Sequence, residues 1–173
     1  MRTQEEKEKS YKKGEDYEKL FKEFYSQRVK NPTFKIISPK EIFGNFWSPS
    51  FDRREGDLWM TFITPGGIVV LRRIDVKHNF IGLASIREFG RDEDHYYGMW
   101  NDSGELSYII SAIVVFEILQ KFENDEKCPW IENFPSGEGG KAINLTKYDK
   151  RYNIRNKIML SKDIENINDR LHI

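Results

Sequence analysis

The sequence predicts an α/β domain built on a mixed (α+β) sheet with helices packed against it, and three observations lead to this class. Residues 2–30 are rich in charge and place apolar side chains at helical spacing from Tyr17 onward. Residues 57–63 and 68–77 are two runs of strand-forming side chains, joined around the turn sequence TPGG. Segments of helical and strand character then alternate in the second half of the chain.

Composition sets limits on the class of function. A length of 173 residues suffices for a buried core, so we expect one domain over 1–173. Lysine plus arginine and aspartate plus glutamate both number 28, so nucleic acid could be bound only through a local basic patch. The single cysteine, Cys128, excludes an internal disulfide and a cysteine-rich zinc site. It favours a reducing compartment, namely the cytoplasm, or the host cytoplasm if the protein is viral.

No segment predicts contact with a membrane. The N-terminus lacks the apolar core of a signal peptide, so we expect no cleaved leader. The longest apolar run, at 108–119, is too short to cross a bilayer and contains Glu117.

The remaining elements are predicted from turn residues, caps and apolar periodicity. Asn31-Pro32 ends the first helix, because the residue before a proline avoids helical geometry. Further along we expect a short strand at 34–37, a short helix or turn at 80–90, a strand at 95–100, a helix from Gly104 to about Phe122 capped by Ser103, and a basic segment followed by a terminal helix capped by Ser161.

The segment RIDVKHN, at 73–79, ends the second strand with an acid and a base. Because strand side chains alternate, Asp75 and Lys77 project from one face, and Ile74 and Val76 project from the other. A strand that could be buried throughout thus carries two opposite charges on one side.

The loop between the two strands decides which residue faces Asp75. A three-residue loop, Pro65-Gly66-Gly67, places Asp57 opposite Asp75 on the same face. A two-residue loop, Gly66-Gly67, would place Asp57 opposite Val76 and separate the two acids. Proline and glycine suit the three-residue turn with a bulge, which would bring two carboxylates and one ammonium into one patch.

Two carboxylates this close repel each other, and a divalent cation between them removes the conflict. Oxygen ligands from Asp57 and Asp75, with water in the other positions, suit Mg²⁺ or Mn²⁺. Lys77 could then stabilise charge that develops on a phosphate, or orient and deprotonate the attacking water. The pattern predicts hydrolysis of a phosphodiester.

With GDLWMTF and RIDVKHN, the chain resembles the PD-(D/E)XK nuclease superfamily, which includes restriction enzymes, Holliday junction resolvases and phage or repair nucleases. The resemblance covers about residues 10–125 and leaves the basic segment and terminal helix of 126–173 unexplained. It implies a restriction-endonuclease-like α-β-β-β-α-β core and DNA cleavage that depends on Mg²⁺ or Mn²⁺. It also implies metal binding by Asp57, Asp75 and the Val76 backbone carbonyl, with Lys77 as the catalytic lysine.

Many of these nucleases also carry Gly-x-x-x-Glu in the first helix, where the glutamate contributes to the metal site. Gly14 and Glu18 match this pattern, and Glu15 points further toward solvent, so Glu18 is the candidate third acid. The chain departs from the superfamily's pattern in two places, since Gly56 stands where a proline is common and the second acid is Asp75 rather than glutamate.

Substrate contacts are predicted at basic and polar side chains near the motif and in the tail. DNA is the favoured partner, RNA stays open, and a homodimer would supply the two sites that a double-strand cut requires. The predicted contact residues are Arg53, Arg54, His78, Asn79, Lys150, Arg151 and Arg155. Charged loops are also commonly just solvated.

A second interpretation needs no catalysis. An acid-x-lysine on a strand also arises as an exposed face with a weak ion pair. The chain would then be a non-catalytic nucleic-acid-binding or assembly module that retains the nuclease-like fold.

Overall fold

The computed structural model describes residues 3–48, 50, 54–78, 80–100, 106–122, 124, 131–133, 140–144 and 158–160. Its helices are α1 (Gln4–Arg28), α2 (Pro39–Phe43), α3 (Leu83–Phe89) and α4 (Ala112–Phe122), and a 3-10 turn covers Gly44–Phe46. Its strands are β1 (Lys35–Ile37), β2 (Leu58–Ile63), β3 (Val69–His78), β4 (Phe80–Gly82), β5 (His95–Trp100), β6 (Leu106–Ser111), β7 (Ile131–Asn133), β8 (Lys141–Asn144) and β9 (Ile158–Leu160).

The long helix α1 forms as the sequence predicts. Thr3 caps its N-terminus in a reciprocal capping box, because the Thr3 side chain accepts from the Glu6 backbone N–H and the Glu6 side chain accepts from Thr3. The helix ends at Arg28, before the Asn31-Pro32 pair. Phe21 lies on its apolar stripe and is fully buried against the sheet.

The main sheet has six strands in the order β1-β2-β3-β5-β6-β9. Strands β3 and β5 are parallel, and the other neighbouring pairs are antiparallel. This mixed sheet, with helices against it, confirms the predicted fold class. Along the chain, α1, β1, β2, β3, α3 and β5 follow the order α-β-β-β-α-β, with α2 and β4 as additions.

The prediction of one helix from Gly104 to Phe122 was wrong over its first part. Residues 106–111 form the strand β6, and the helix α4 begins only at Ala112. Ile109 and Ile110 are both buried, Ile109 toward the α1 side of the sheet and Ile110 toward the other side. A strand buried on both faces is a continuous apolar run, which periodicity cannot distinguish from a buried helix.

Two apolar clusters cover the two faces of the sheet. On one face, Phe21 and Tyr25 of α1 pack on buried residues of β1, β2, β3, β5 and β6. On the other face, α3 and α4 pack on β5 and β6. Ile74 belongs to the α1 cluster, so the odd-numbered side chains of β3 project toward the face away from α1.

The segment at 80–90 and the tail add features that the sequence did not predict. Residues 80–82 form β4, which belongs to a second sheet of three strands in the order β4-β8-β7, and the short helix predicted within 80–90 follows directly as α3. β9 extends the main sheet beyond β6. The predicted Ser161-capped helix lies outside the described residues. Among the helices that are described, none combines the length and the apolar character that crossing a membrane requires.

The contact between α1 and the sheet depends on Gly98 of β5. A Cβ at Gly98 would stand 2.3 Å from Cε2 of the buried Phe21 ring. We therefore expect Gly98→Ala to lower the free energy of unfolding by about 1–3 kcal/mol, measured by urea denaturation, because the ring or the helix must shift.

Gly14→Ala is the matched control. A Cβ there meets nothing within 4 Å, and the residue lies inside α1. Alanine should raise the free energy of unfolding by about 0.5–1 kcal/mol, because glycine weakens a helix interior. Equal effects of the two substitutions would contradict the proposed packing of α1.

Candidate active site

The β2–β3 hairpin has the register that the three-residue loop predicts. Leu58 pairs with Ile74, and Ile63 pairs with Val69, so the register continues to place Asp57 opposite Asp75. The turn is closed by two backbone hydrogen bonds. The Thr64 N–H donates to the Ile68 carbonyl at 2.9 Å, and the Gly67 N–H donates to the Thr64 carbonyl at 2.9 Å; these two bonds hold the strand ends together.

Asp57 lies at the bend where β2 begins, and its side chain is tied to the neighbouring strand. Its Oδ2 accepts a hydrogen bond of 2.7 Å from the Val76 backbone N–H. Gly56, just before it, is buried and has a φ of 74°, which proline cannot adopt. A Cβ at Gly56 would lie 3.2 Å from Asp75 Oδ1 and 3.3 Å from the Ile74 carbonyl oxygen. The absence of a side chain at Gly56 therefore lets the backbone just before Asp57 lie close to Asp75.

Asp75 and Lys77 form an ion pair on the face of β3 away from α1. Lys77 Nζ lies 3.2 Å from Asp75 Oδ2, and Asp75 is only 8% exposed. Burial alone would raise the pKa of the Asp75 carboxyl, but the Lys77 charge and the facing His95 imidazole hold that pKa well below its usual range. Burial likewise works to lower the pKa of Lys77, yet Asp75 and then Asp57 raise it above its usual value. The two side chains are therefore held in their charged forms at neutral pH.

The parallel strand β5 adds two side chains that sequence reasoning did not place in the site. His95 is fully buried, and its Nε2 lies 3.7 Å from Asp75 Oδ2. Tyr97 pairs with Asp75 across the two strands, and Ser85 Oγ lies 3.0 Å from its hydroxyl. Burial, with a smaller contribution from the Asp75 charge, raises the pKa of Tyr97 to about 12. The signal was the alternation of His95, Tyr97 and Met99 in a strand connected to β3 by a helix, which favours parallel neighbours.

The predicted third acid, Glu18, lies on α1, which packs on the face of the sheet opposite to Asp75 and Lys77. Glu18 is half-buried on α1 and lines a groove with Ser38, Glu41 and Leu58, on the α1 side of the sheet. Within the described residues, no three His, Cys, Asp or Glu side chains are grouped as metal ligands. Asp57 and Asp75 are thus the two acids that the fold assembles.

Of the other predicted residues, Val76, His78 and Arg54 are described, and they lie in three different places. Val76 contributes its N–H to Asp57. His78 lies on the α1 face, where its ring stacks on Tyr17 with centroids 5.1 Å apart. Arg54 is exposed at the start of the segment that leads to Asp57. The other five predicted contact residues lie outside the described residues: Arg53, Asn79, Lys150, Arg151 and Arg155.

Comparisons of the chain with protein-family models, with curated proteins and with solved structures gave no significant match. A functional assignment therefore depends on the geometry of Asp57, Asp75, Lys77 and His95.

The depressed pKa of Asp75 predicts a pH-dependent contribution to stability. At pH 7, Asp75→Asn should lower the free energy of unfolding by about 3 kcal/mol, because it leaves the Lys77 ammonium without its partner. A carboxyl whose pKa is lowered by folding stabilises the protein above its unfolded pKa of about 3.9 and loses this contribution as the pH falls toward its folded pKa. In urea titrations, the difference in the free energy of unfolding between wild type and Asp75→Asn should be constant above about pH 5 and should decrease below about pH 4.

Glu5→Gln provides the control for an exposed carboxylate. Glu5 pairs with Lys9 on α1, and the two side chains are 77% and 75% exposed, respectively. Its loss should change the free energy of unfolding by less than about 0.5 kcal/mol at any pH. If the difference in the free energy of unfolding between wild type and Asp75→Asn increased in acid, the Asp75 carboxylate would not be stabilised by folding.

Proposed function

We propose that the protein is a metal-dependent nuclease that hydrolyses DNA phosphodiester bonds, with endonucleolytic cleavage favoured. The single observation that carries the proposal is the pairing of Asp57 opposite Asp75 with Lys77 on the same face. It is supported by the α-β-β-β-α-β order of the elements and by the resemblance of the two strand motifs to the PD-(D/E)XK superfamily.

The two carboxylates fit Mg²⁺ or Mn²⁺. Mg²⁺ is commonly held by one or two carboxylates, with water and substrate phosphate oxygens in its other positions, so a third acid is not required. Asp57 and Asp75 would be the ligands, and the Val76 carbonyl is the further candidate on the same strand. When bound, the cation would supply charge stabilisation at the phosphate and a water of lowered pKa.

Lys77 would act through its charge. Asp75 and Asp57 raise the pKa of Lys77, against the effect of burial, so the ammonium is protonated at neutral pH before a cation binds. A protonated lysine cannot accept a proton from water, but it can stabilise negative charge on a phosphate oxygen. Of the two roles that the sequence left open, electrostatic stabilisation is the one we assign to Lys77.

The substrate would approach from the side of the segment that precedes Asp57. Arg54 is exposed on the segment before Asp57, where a guanidinium can contact a phosphate. RNA carries the same phosphodiester, so a substrate panel must include it. We further propose that the enzyme works as a homodimer in the cytoplasm, because cutting both strands of a duplex requires two sites and the chain's one cysteine suits a reducing compartment.

Cleavage of plasmid DNA tests the proposal directly. With Mg²⁺ or Mn²⁺ present, we expect the wild-type protein to nick or linearise the plasmid. Asp57→Asn, Asp75→Asn and Lys77→Met should each reduce the rate by about 10²-fold or more, because each removes a charge that acts on the phosphate or the cation. Linear, nicked, branched and single-stranded substrates, with an RNA strand, would then define the preferred substrate.

Lys9→Met is the matched control for removal of a lysine charge, since Lys9 is 75% exposed on α1 and pairs only across one helical turn. Its cleavage rate should equal that of the wild type. Unchanged cleavage in folded Asp75→Asn and Lys77→Met proteins would place any nuclease activity at another site.

A non-catalytic nucleic-acid-binding or assembly module is the second candidate. The observation that favours it is the ion pair between Asp75 and Lys77, in a protein whose described residues include no group of three potential metal ligands. A buried ion pair of this kind can be a purely structural element.

Thermal unfolding with and without Mg²⁺ distinguishes the two candidates. A metal site stabilises the folded state by about 2.7 kcal/mol at a concentration 100 times its Kd. The nuclease proposal expects a rise in Tm that Asp57→Asn abolishes. The binding module expects no response to the metal, together with nucleic-acid binding that survives in Asp57→Asn.

A further inference from the structure

His95, the first residue of β5, is a buried polar side chain. The ion pair between Asp75 and Lys77 can form without it. His95 is 0% exposed, and neither ring nitrogen has a hydrogen-bond partner among the described residues. Leaving a polar group unpaired in the interior costs about 1–3 kcal/mol. An apolar ring would fill the same space without this cost, so packing alone does not account for a histidine.

Two aromatic neighbours fix the plane of the His95 ring. The Phe89 ring stacks on it with centroids 4.2 Å apart and an interplanar angle of 3°. Tyr97 meets it edge-on, with centroids 5.4 Å apart. The ring is thereby held with Nε2 toward Asp75, 3.7 Å from Oδ2.

The two oxygens of the Asp75 carboxylate face different surroundings. Oδ2 is the atom nearest to both Lys77 Nζ, at 3.2 Å, and His95 Nε2. Oδ1 points toward Gly56, where it lies 3.2 Å from the position of a Cβ, and so toward the start of β2 where Asp57 stands. Holding Oδ2 on one side therefore directs Oδ1 toward the second acid.

We propose that His95 is a positioning residue for Asp75. The His95 Nε2–H donates to Asp75 Oδ2, and Asp75 thereby presents its Oδ1 to a divalent cation that it shares with Asp57. This inference deepens the proposed nuclease function and rests on it. Hydrogen bonds of this type span ~2.7–3.2 Å, so an approach of about half an ångström completes the contact.

The physical advantage is a fixed carboxylate orientation. The terminal torsion of an aspartate is broad, and Lys77 is a point charge on a flexible stem that can follow the carboxylate as it turns. A donor on a ring that is packed between two aromatic side chains cannot follow in this way. Outer partners that orient metal ligands contribute about 10–100-fold to metal affinity.

Three substitutions at His95 separate donor position from packing. His95→Gln places an amide N–H near the former Nε2, His95→Asn places one only near the former Nδ1, and His95→Leu removes the donor. The measurement is the rise in Tm with added Mn²⁺, whose dependence on concentration gives the Kd for Mn²⁺ without any cleavage assay. Plasmid cleavage at low and at saturating Mn²⁺ is the second measurement.

We expect the Kd of His95→Gln for Mn²⁺ to stay within about threefold of the wild-type value, and the Kd of His95→Asn and of His95→Leu to be about tenfold higher. Saturating Mn²⁺ should restore cleavage in His95→Asn at a temperature where this variant is fully folded without metal, so that rescue reports metal affinity and not stability. If His95→Leu fails to fold, the Gln and Asn pair, which differ by one methylene, still decides the question.

Two outcomes would overturn the inference in distinguishable ways. If wild type responds to Mn²⁺ and His95→Asn has the same Kd for Mn²⁺, the metal site stands and the role of His95 fails. If wild type shows no response at millimolar Mn²⁺, the proposed metal site fails and the inference fails with it. If none of the three variants folds in the absence of metal, His95 is needed for the core itself, which also overturns the inference.

Discussion

The register of the β2–β3 hairpin is the constraint on which the candidate site depends. Two interactions set it independently: the Pro65–Gly67 turn, closed by backbone hydrogen bonds, and the burial of alternate β2 side chains against α1. A slip of one residue would move Leu58, Met60 and Phe62 from the core to the opposite face. The same packing that stabilises the sheet therefore holds Asp57 opposite Asp75.

Leu58, Met60, Phe62, Val70 and Ile74 of the hairpin are buried on the α1 face, so the alternation of β3 puts Asp75 and Lys77 on the other face. The parallel strand β5 lies beside β3 in the sheet, and Asp75 is nearly buried next to Lys77 and His95. Removing an ion pair from water costs several kcal/mol per ion, which its mutual attraction repays only with good geometry. A fold selected for stability alone could place apolar side chains here. Stability alone therefore does not account for the charges at this position, and the proposed function gives them a role.

Local signals in the sequence were sufficient for the elements that form the hairpin and α1. The helical stripe of α1, the strands at 57–63 and 68–77, and the turn between them all rest on contacts a few residues apart. The sequence was misleading at β6, since Ile109 and Ile110 are buried on opposite faces and the alternation of a strand disappears. β9 and the second sheet could not be predicted because their pairing joins segments far apart in the chain.

The sequence by itself determined that an acid and a lysine share one face of β3, and that a three-residue turn would set Asp57 across from them. Both follow from the two-residue period of a strand and from turn chemistry, which are local properties. Only the tertiary structure decided that α1 packs on the face opposite to Asp75 and Lys77, and that β5 adds His95. Those outcomes depend on which faces pack together, and no local pattern encodes that choice.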